Sequence, residues 1–259
     1  MKKSMNYLLI ILLGLVLNWT LLSTLTAQTE PLGPLLDVTE FTIKPGHEMQ
    51  FREGVKAWKA CYIENKGDWT WRLWKRHQGE GNIFVLASNM VNWAEMDNTD
   101  ESGKNCQDLS RTLIHPHIEK ATNHVARFLP GNSKATPLTE DIIRVNFYKL
   151  NPQNGYKMME VVKEVEEIRK SANLEIRGYW YQWQTLGPES PNYHHVMPYE
   201  DYAAMDIELE GVWDTVEKNE GKAKRDELQA TFRSALESTW NYIYKLDTDL
   251  SRLSTNENQ

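Results

Sequence analysis

Apolar, β-branched and aromatic residues are interspersed with polar ones along Leu36-Asp37-Val38-Thr39-Glu40-Phe41-Thr42-Ile43, a run rich in β-formers that reads as a strand, and Lys44-Pro45-Gly46 breaks it. Phe51, Val55, Trp58 and Tyr62 then recur at i, i+4, i+7 and i+11, which predicts a helix ending at Lys66-Gly67. Trp69 to His77 and Ile83 to Val91 read as two strands joined by a turn over 78–82. Leu109, Leu113, Ile114 and His117 suggest a second helix, disturbed by Pro116, and Asn123 to Leu129 a closing strand. Pro130-Gly131-Asn132-Ser133 then opens a linker, assigned to 131–140.

The same order follows again. Ile142 to Leu150 reads as a strand and Asn151-Pro152 as the break. Met158, Val161, Val162, Val165, Ile168 and Ala172 line one helix face. Glu175 to Leu186 and Tyr193 to Met197 form a hairpin, Leu228, Phe232, Ala235 and Leu236 line a further helix, and Trp240 to Leu246 closes the unit. Trp71, Trp74 and Trp93-Ala94-Glu95-Met96-Asp97 are matched, 109 residues later, by Trp180, Trp183 and Tyr202-Ala203-Ala204-Met205-Asp206. An internal repeat of this length means two copies of one small fold. Aligning Thr122 with Thr239, at an offset of 117, gives the second copy about eight extra residues within 208–222, read as a charged, solvated excursion that Trp213 pins down.

Each copy reads as a βαββαβ unit: 35–130 and 141–250, followed by a tail over 251–259. Such a unit makes a four-stranded antiparallel sheet with both helices on one face and an apolar face that must be covered. The expected fold class is α+β, two tandem ferredoxin-like βαββαβ units packed as an intramolecular barrel pair. The register of the first strands is ambiguous, since Phe41 to Pro45 is four steps and Phe147 to Pro152 is five. A one-residue slip exchanges the faces of a strand.

The N-terminus has its own pattern. Lys2 and Lys3 precede an apolar run from Tyr7 to Leu22, and Thr24-Leu25-Thr26-Ala27 supplies a small residue for cleavage, the layout of a signal peptide over 1–27. The competing reading is an uncleaved membrane anchor. Cleavage would leave 232 residues with a net charge of −9, because two lysines and no acids are removed. An acidic exported chain argues against nucleic-acid partners and anionic membrane surfaces. An even pair of cysteines, Cys61 and Cys106, is compatible with a disulfide in that setting, and with two free thiols otherwise.

The tandem pattern, with Phe41-Thr42-Ile43-Lys44-Pro45-Gly46-His47 leading from strand to helix, resembles the dimeric α/β-barrel superfamily. That group includes NIPSNAP-like proteins, antibiotic-biosynthesis-type monooxygenases and tandem-domain haem proteins related to chlorite dismutase. The resemblance covers nearly all of 35–250; its Lys-Pro-Gly turn is short, and in the second copy it has become Leu150-Asn151-Pro152-Gln153. It implies a monomer built as an internal pseudo-dimer, with further homodimers open. In such a unit the end of the first helix lies near the start of the second, which favours a bridge between Cys61 and Cys106.

Aromatic residues dominate the candidate chemistry. Trp71 and Trp180 should share one sheet face, and Trp74 and Trp183 the other. Core packing is the plain explanation; the functional one is an aromatic-walled pocket. Arg72 shares the Trp74 face and Arg76 continues it, either as members of an internal ion pair or as a polar pocket lining. The candidate ligand-binding set is Trp71, Arg72, Trp74, His77, Trp180, Trp183 and His195, around a small, partly aromatic ligand. His194 and His195 point to opposite faces of a strand, and His115 and His117 diverge on a helix, so no metal site is expected. No cofactor is expected from the residues. The resemblance adds two enzyme alternatives: cofactor-free oxidation of an activated aromatic substrate, or haem chemistry with His194 or His195 as axial ligand. A structural module without a ligand is a further alternative.

Overall fold

The computed structural model describes residues 32–254. The expected signal peptide and residues 255–259 of the tail lie outside them. The strands are β1 (Leu35–Ile43), β2 (Arg72–Gln78), β3 (Ile83–Met90), β4 (Ile118–Phe128), β5 (Ile142–Leu150), β6 (Tyr179–Trp183), β7 (Tyr193–Tyr199) and β8 (Leu236–Leu246). They close into one antiparallel barrel in the order β1-β3-β2-β8-β5-β7-β6-β4. Each half keeps the ferredoxin-like order, β4-β1-β3-β2 and β8-β5-β7-β6. The halves are sewn edge to edge by β2–β8 and β4–β6, so the barrel has no open edge.

The helices cover the outside. In the first half, α1 (Glu48–Glu64) buries Phe51 and Tyr62, and with Val55 and Trp58 it packs on Ile43, Trp71, Leu73 and Phe84. Asn65 follows α1, Lys66 takes a positive φ of 58°, and the Gly67 N–H returns to the Tyr62 carbonyl at 2.9 Å, a left-handed helix stop. The second helix is broken up: α2 (Glu101–Asn105) is followed by short helical turns from Gln107 to His117, the last of which holds Pro116, with no N–H to continue a regular ladder. A disulfide joins Cys61 to Cys106.

In the second half, α3 (Lys157–Ser171) packs Met158 and Val162 against Trp180, while Val161 and Val165 meet α4 (Val212–Glu220) and α5 (Lys222–Ser234) through Val216 and Leu228. The expected solvated excursion is therefore largely α4. Its charges line one side, but Thr215 and Val216 are fully buried and Trp213 packs edge-on against Phe232. Ala235 and Leu236 lie beyond α5, at the entry to β8.

Two bulges settle the register of the repeat. Ile43 pairs with Ile118 after one bulge and Leu150 with Leu236 after the other, so the first strands are offset by 107 residues and the closing strands by 118. The 107 offset also aligns Pro45 with Pro152. The match of Thr122 to Thr239 is one residue out; Thr122 corresponds to Trp240, and this slip exchanges the two faces of β8.

Tail residues 251–253 are packed rather than loose. Trp71 and Arg252 exchange backbone hydrogen bonds at 2.9 Å, and the Ser251 hydroxyl accepts from the Leu73 N–H at 2.8 Å. In the linker, buried Ser133 accepts from the Trp180 N–H and donates to the Leu129 carbonyl, both at 2.8 Å.

Candidate functional site

The barrel encloses a cavity of about 1450 Å³, with mouths bordered by the linker at one end and the 187–191 loop at the other. That exceeds the roughly 300–1,000 Å³ of ordinary small-molecule pockets. Strand alternation decides which side chains reach it. From the first half come Val38, Glu40, Arg72, Trp74, Arg76 and His124. From the second come Phe147, Tyr181, Trp183, His194, Tyr242 and Tyr244.

The two walls are chemically different. By the repeat register, Glu40 stands where the second half has Phe147, Arg72 where it has Tyr179, and His124 where it has Tyr242. The first wall thus carries charge and the second wall rings. The Arg72 guanidinium donates to the Leu138 carbonyl of the linker at 2.8 Å, holding that segment over one mouth. Buried Arg76 pairs with Glu40 at 3.0 Å, donates to the Tyr244 hydroxyl at 3.1 Å and to the Glu80 carbonyl at 2.7 Å, and sits 4.0 Å from the Tyr242 ring centroid. Arg76 combines both sequence readings, an ion pair and a polar lining. Burial pushes the Tyr244 hydroxyl pKa upward against the pull of Arg76, and burial pushes Tyr181 up to about 12, so both phenols are neutral donors near pH 7.

His194 is the polar group on the aromatic wall. Its ring lies parallel to Tyr181, with centroids 4.8 Å apart, and its Nδ1 accepts from the Trp183 indole N–H at 2.7 Å. An indole nitrogen only donates, so the neutral imidazole carries its proton on Nε2. Burial, and then the neighbouring His195, push its pKa down to about 3.

The sequence-derived set is divided by the fold. Arg72, Trp74 and Trp183 meet in the cavity. The expected faces are observed: Trp71 and Trp180 belong to the helix-side cores, although Trp71 also borders the cavity rim. His77 is exposed on the outside of β2, where Nδ1 shares a 2.7 Å hydrogen bond with the Tyr202 hydroxyl. His195 faces the helices and stacks on Trp180 at 4.5 Å; its neighbour His194 takes the cavity position. Tyr181, Tyr242 and Tyr244 were not in the set, yet the alternations Tyr179/Tyr181/Trp183 and Trp240/Tyr242/Tyr244 are the signal that carries them.

Neither histidine fits the axial ligand of a haem. A ligating imidazole binds iron through one nitrogen and donates its other N–H to an acceptor. His194 Nδ1 instead faces a donor. His195 stands beside a pocket of about 270 Å³, below the range for drug-sized ligands and too small for a porphyrin, and its Nε2 lies against Gly178, where an added Cβ would come within 2.6 Å. Among the described residues, no group of three His, Cys, Asp or Glu side chains is placed to hold a metal ion.

The architecture has known counterparts. A candidate monooxygenase from Lactobacillus acidophilus superposes with a TM-score of 0.50 at 12% identity, covering 86% of this chain and 100% of that one. A mutant chlorite dismutase from Candidatus Nitrospira defluvii, in complex with cyanide, superposes with a TM-score of 0.52 at 7% identity, covering 85% and 93%. The chain has the dimeric α/β-barrel fold, with both ferredoxin-like units on one polypeptide. No family model and no curated protein matches the sequence.

Proposed function

We propose that the chain binds a small, partly aromatic ligand in the barrel cavity and does so outside the cytoplasm. The observation that carries the reading is the pairing of unlike walls around 1450 Å³: rings on one side, Arg72 and the Arg76–Glu40 pair on the other. Flat apolar surface gives affinity, while a few placed polar groups fix orientation. An aromatic body bearing an acidic or hydrogen-bonding substituent suits this arrangement. Export is supported by the basic–apolar–small pattern of residues 1–27 and by the Cys61–Cys106 bridge. A general-base role draws no support from His194, since an imidazole of pKa about 3 is a poor proton acceptor near neutral pH.

The test is the native mass and absorption spectrum of protein purified from the exported fraction. An added small-molecule mass with near-ultraviolet absorption, and no Soret band, is the expected result. Ala87→Phe, which projects a ring into the cavity, should then remove the added mass while the protein stays folded. Retention of the added mass by that variant, or a Soret band, would overturn the reading.

A further inference from the structure

The second half holds another pocket, separate from the barrel interior. It lies between the outer face of β5–β6–β7 and helices α3, α4 and α5, and measures about 270 Å³. At ~30 Å³ per water this is room for about nine, or for a molecule of a handful of heavy atoms. Its body is apolar, formed by Val162, Trp180, Trp213 and Phe232. Its polar groups are two guanidiniums, Arg169 and Arg177, with one carboxylate, Glu166, and the side chains of Asn146, Tyr148 and His195.

The charges do not balance. Arg169 is 1% exposed on α3, an extreme position for a guanidinium. One of its Nη atoms donates to the Glu175 carbonyl at 2.6 Å. Its Nε and its other Nη have no hydrogen-bond partner among the described residues; Glu166 Oε2, 3.5 Å from Nε, forms an ion pair without hydrogen-bond geometry and is likewise without a partner there. Arg177 gives a single hydrogen bond, to the Glu210 carbonyl at 2.9 Å. Arg144, on the same outer face of β5, also leaves a buried Nε without a partner among the described residues. His195 adds no charge, because burial and then Arg144 hold its pKa near 4. A guanidinium buried this deeply is ordinarily satisfied by an oxyanion at its donor edge.

We infer that this pocket is a second ligand site, for a small organic carboxylate whose apolar body sits against Trp180 and Trp213 and whose oxygens meet Arg169 and Arg177. The carboxylate supplies the acceptor atoms that Arg169 lacks and offsets the excess positive charge, and the valine and aromatic wall takes a short branched or cyclic hydrocarbon. Free phosphate would meet the same arginines but would gain nothing from that wall.

The experiment is a titration of the purified protein with isobutyrate at constant ionic strength, read from the indole N–H signals of Trp180 and Trp213 in ¹H–¹⁵N spectra. Isobutyramide serves as the neutral isostere and inorganic phosphate as the body-less anion. The expected result is a saturable shift of both signals, with the amide and phosphate each at least roughly tenfold weaker, a gap of the size one charge-assisted hydrogen bond gives. Arg169→Gln should abolish the shift. Because that variant also loses a buried anchor, the partly exposed Arg177→Gln is the second variant, and it should weaken isobutyrate about tenfold with the fold retained. Arg72→Ala, in the barrel cavity, should leave the titration unchanged. No saturation at tens of millimolar, equal binding of acid and amide, or loss of the response in Arg72→Ala would each overturn the inference.

Discussion

The indole N–H of Trp183 donates to Nδ1 of His194 at 2.7 Å, linking the two strands of the second hairpin on the cavity side. That bond selects one tautomer and aligns the imidazole with the Tyr181 ring. Trp183→Phe keeps an aromatic ring but removes the donor, leaving a buried acceptor without a partner. The expected cost is about 1–3 kcal/mol in urea unfolding. The ¹⁵N signals of His194 should change from a single Nε2–H form to a mixture. An unchanged tautomer would show that something other than Trp183 sets it.

His194 and His195 make the fold sensitive to acid. Burial, first among the causes in both, lowers their pKa values to about 3 and about 4. Both lie below the ~6.5 of an unfolded histidine. Between pH 6.5 and about 4 the unfolded chain therefore takes up protons that the folded chain refuses. Their contribution is complete above pH 6.5 and is lost as the pH falls through that window, by up to about 1.4 kcal/mol per pH unit for each histidine. His195→Phe, which preserves the stack on Trp180, should flatten the dependence of unfolding free energy on pH by one histidine's share. An unaltered slope would place the acid sensitivity elsewhere.

The Cys61–Cys106 bridge spans a sequence separation of 45 residues and ties α1 to the broken second helix. The chain-entropy relation puts its contribution at about 4 kcal/mol. The double substitution Cys61→Ser, Cys106→Ser should lower the urea midpoint accordingly, with a slope no smaller, since the unlinked unfolded chain exposes at least as much surface. Loss below about 1 kcal/mol would mean that α1 and that segment are held by packing alone.

Glu40 and Arg76 should behave as a coupled pair. Glu40→Gln leaves Arg76 with the Tyr244 hydroxyl and the Glu80 carbonyl but without its counter-charge. The expected destabilisation is on the order of 1–3 kcal/mol, reduced from a fully buried pair because Glu40 is partly exposed. Adding Arg76→Met should restore part of it, since the charge that Glu40 neutralised is then gone. Additive losses in a double-mutant cycle would show the two to be independent.

Much of the fold was legible in the chain because its signals are local. The shared face of Trp71 and Trp180 and that of Trp74 and Trp183, the helix stripe from Phe51 to Tyr62 and the position of the two cysteines depend on periodicity and order alone; the exact register of the pairs does not, since Trp74 is the counterpart of Tyr181. The barrel itself was expected from the two units, but its edge pairing was not legible. Which edge of one sheet meets which edge of the other depends on β2 finding β8 and β4 finding β6, and no motif encodes that. The histidines failed for a narrower reason. Alternation says that His194 and His195 diverge, but choosing the inward one requires the register with β5, where Phe147 faces His194 and Asn146 faces His195. The α4 segment read as solvated because its charges outnumber the two residues, Thr215 and Val216, that anchor it.

Fusing both halves of the barrel into one polypeptide removes a constraint that identical subunits would impose. Around a twofold axis every side chain occurs twice, and any asymmetric guest can sit equally well in either of two inverted poses. Here Arg72 answers to Tyr179 and Glu40 to Phe147, so inversion would exchange a guanidinium for a phenol and a carboxylate for a benzyl ring. The degeneracy is gone. One chain presents one barrel at any dilution, and a guest with distinct ends would have a single preferred heading in it.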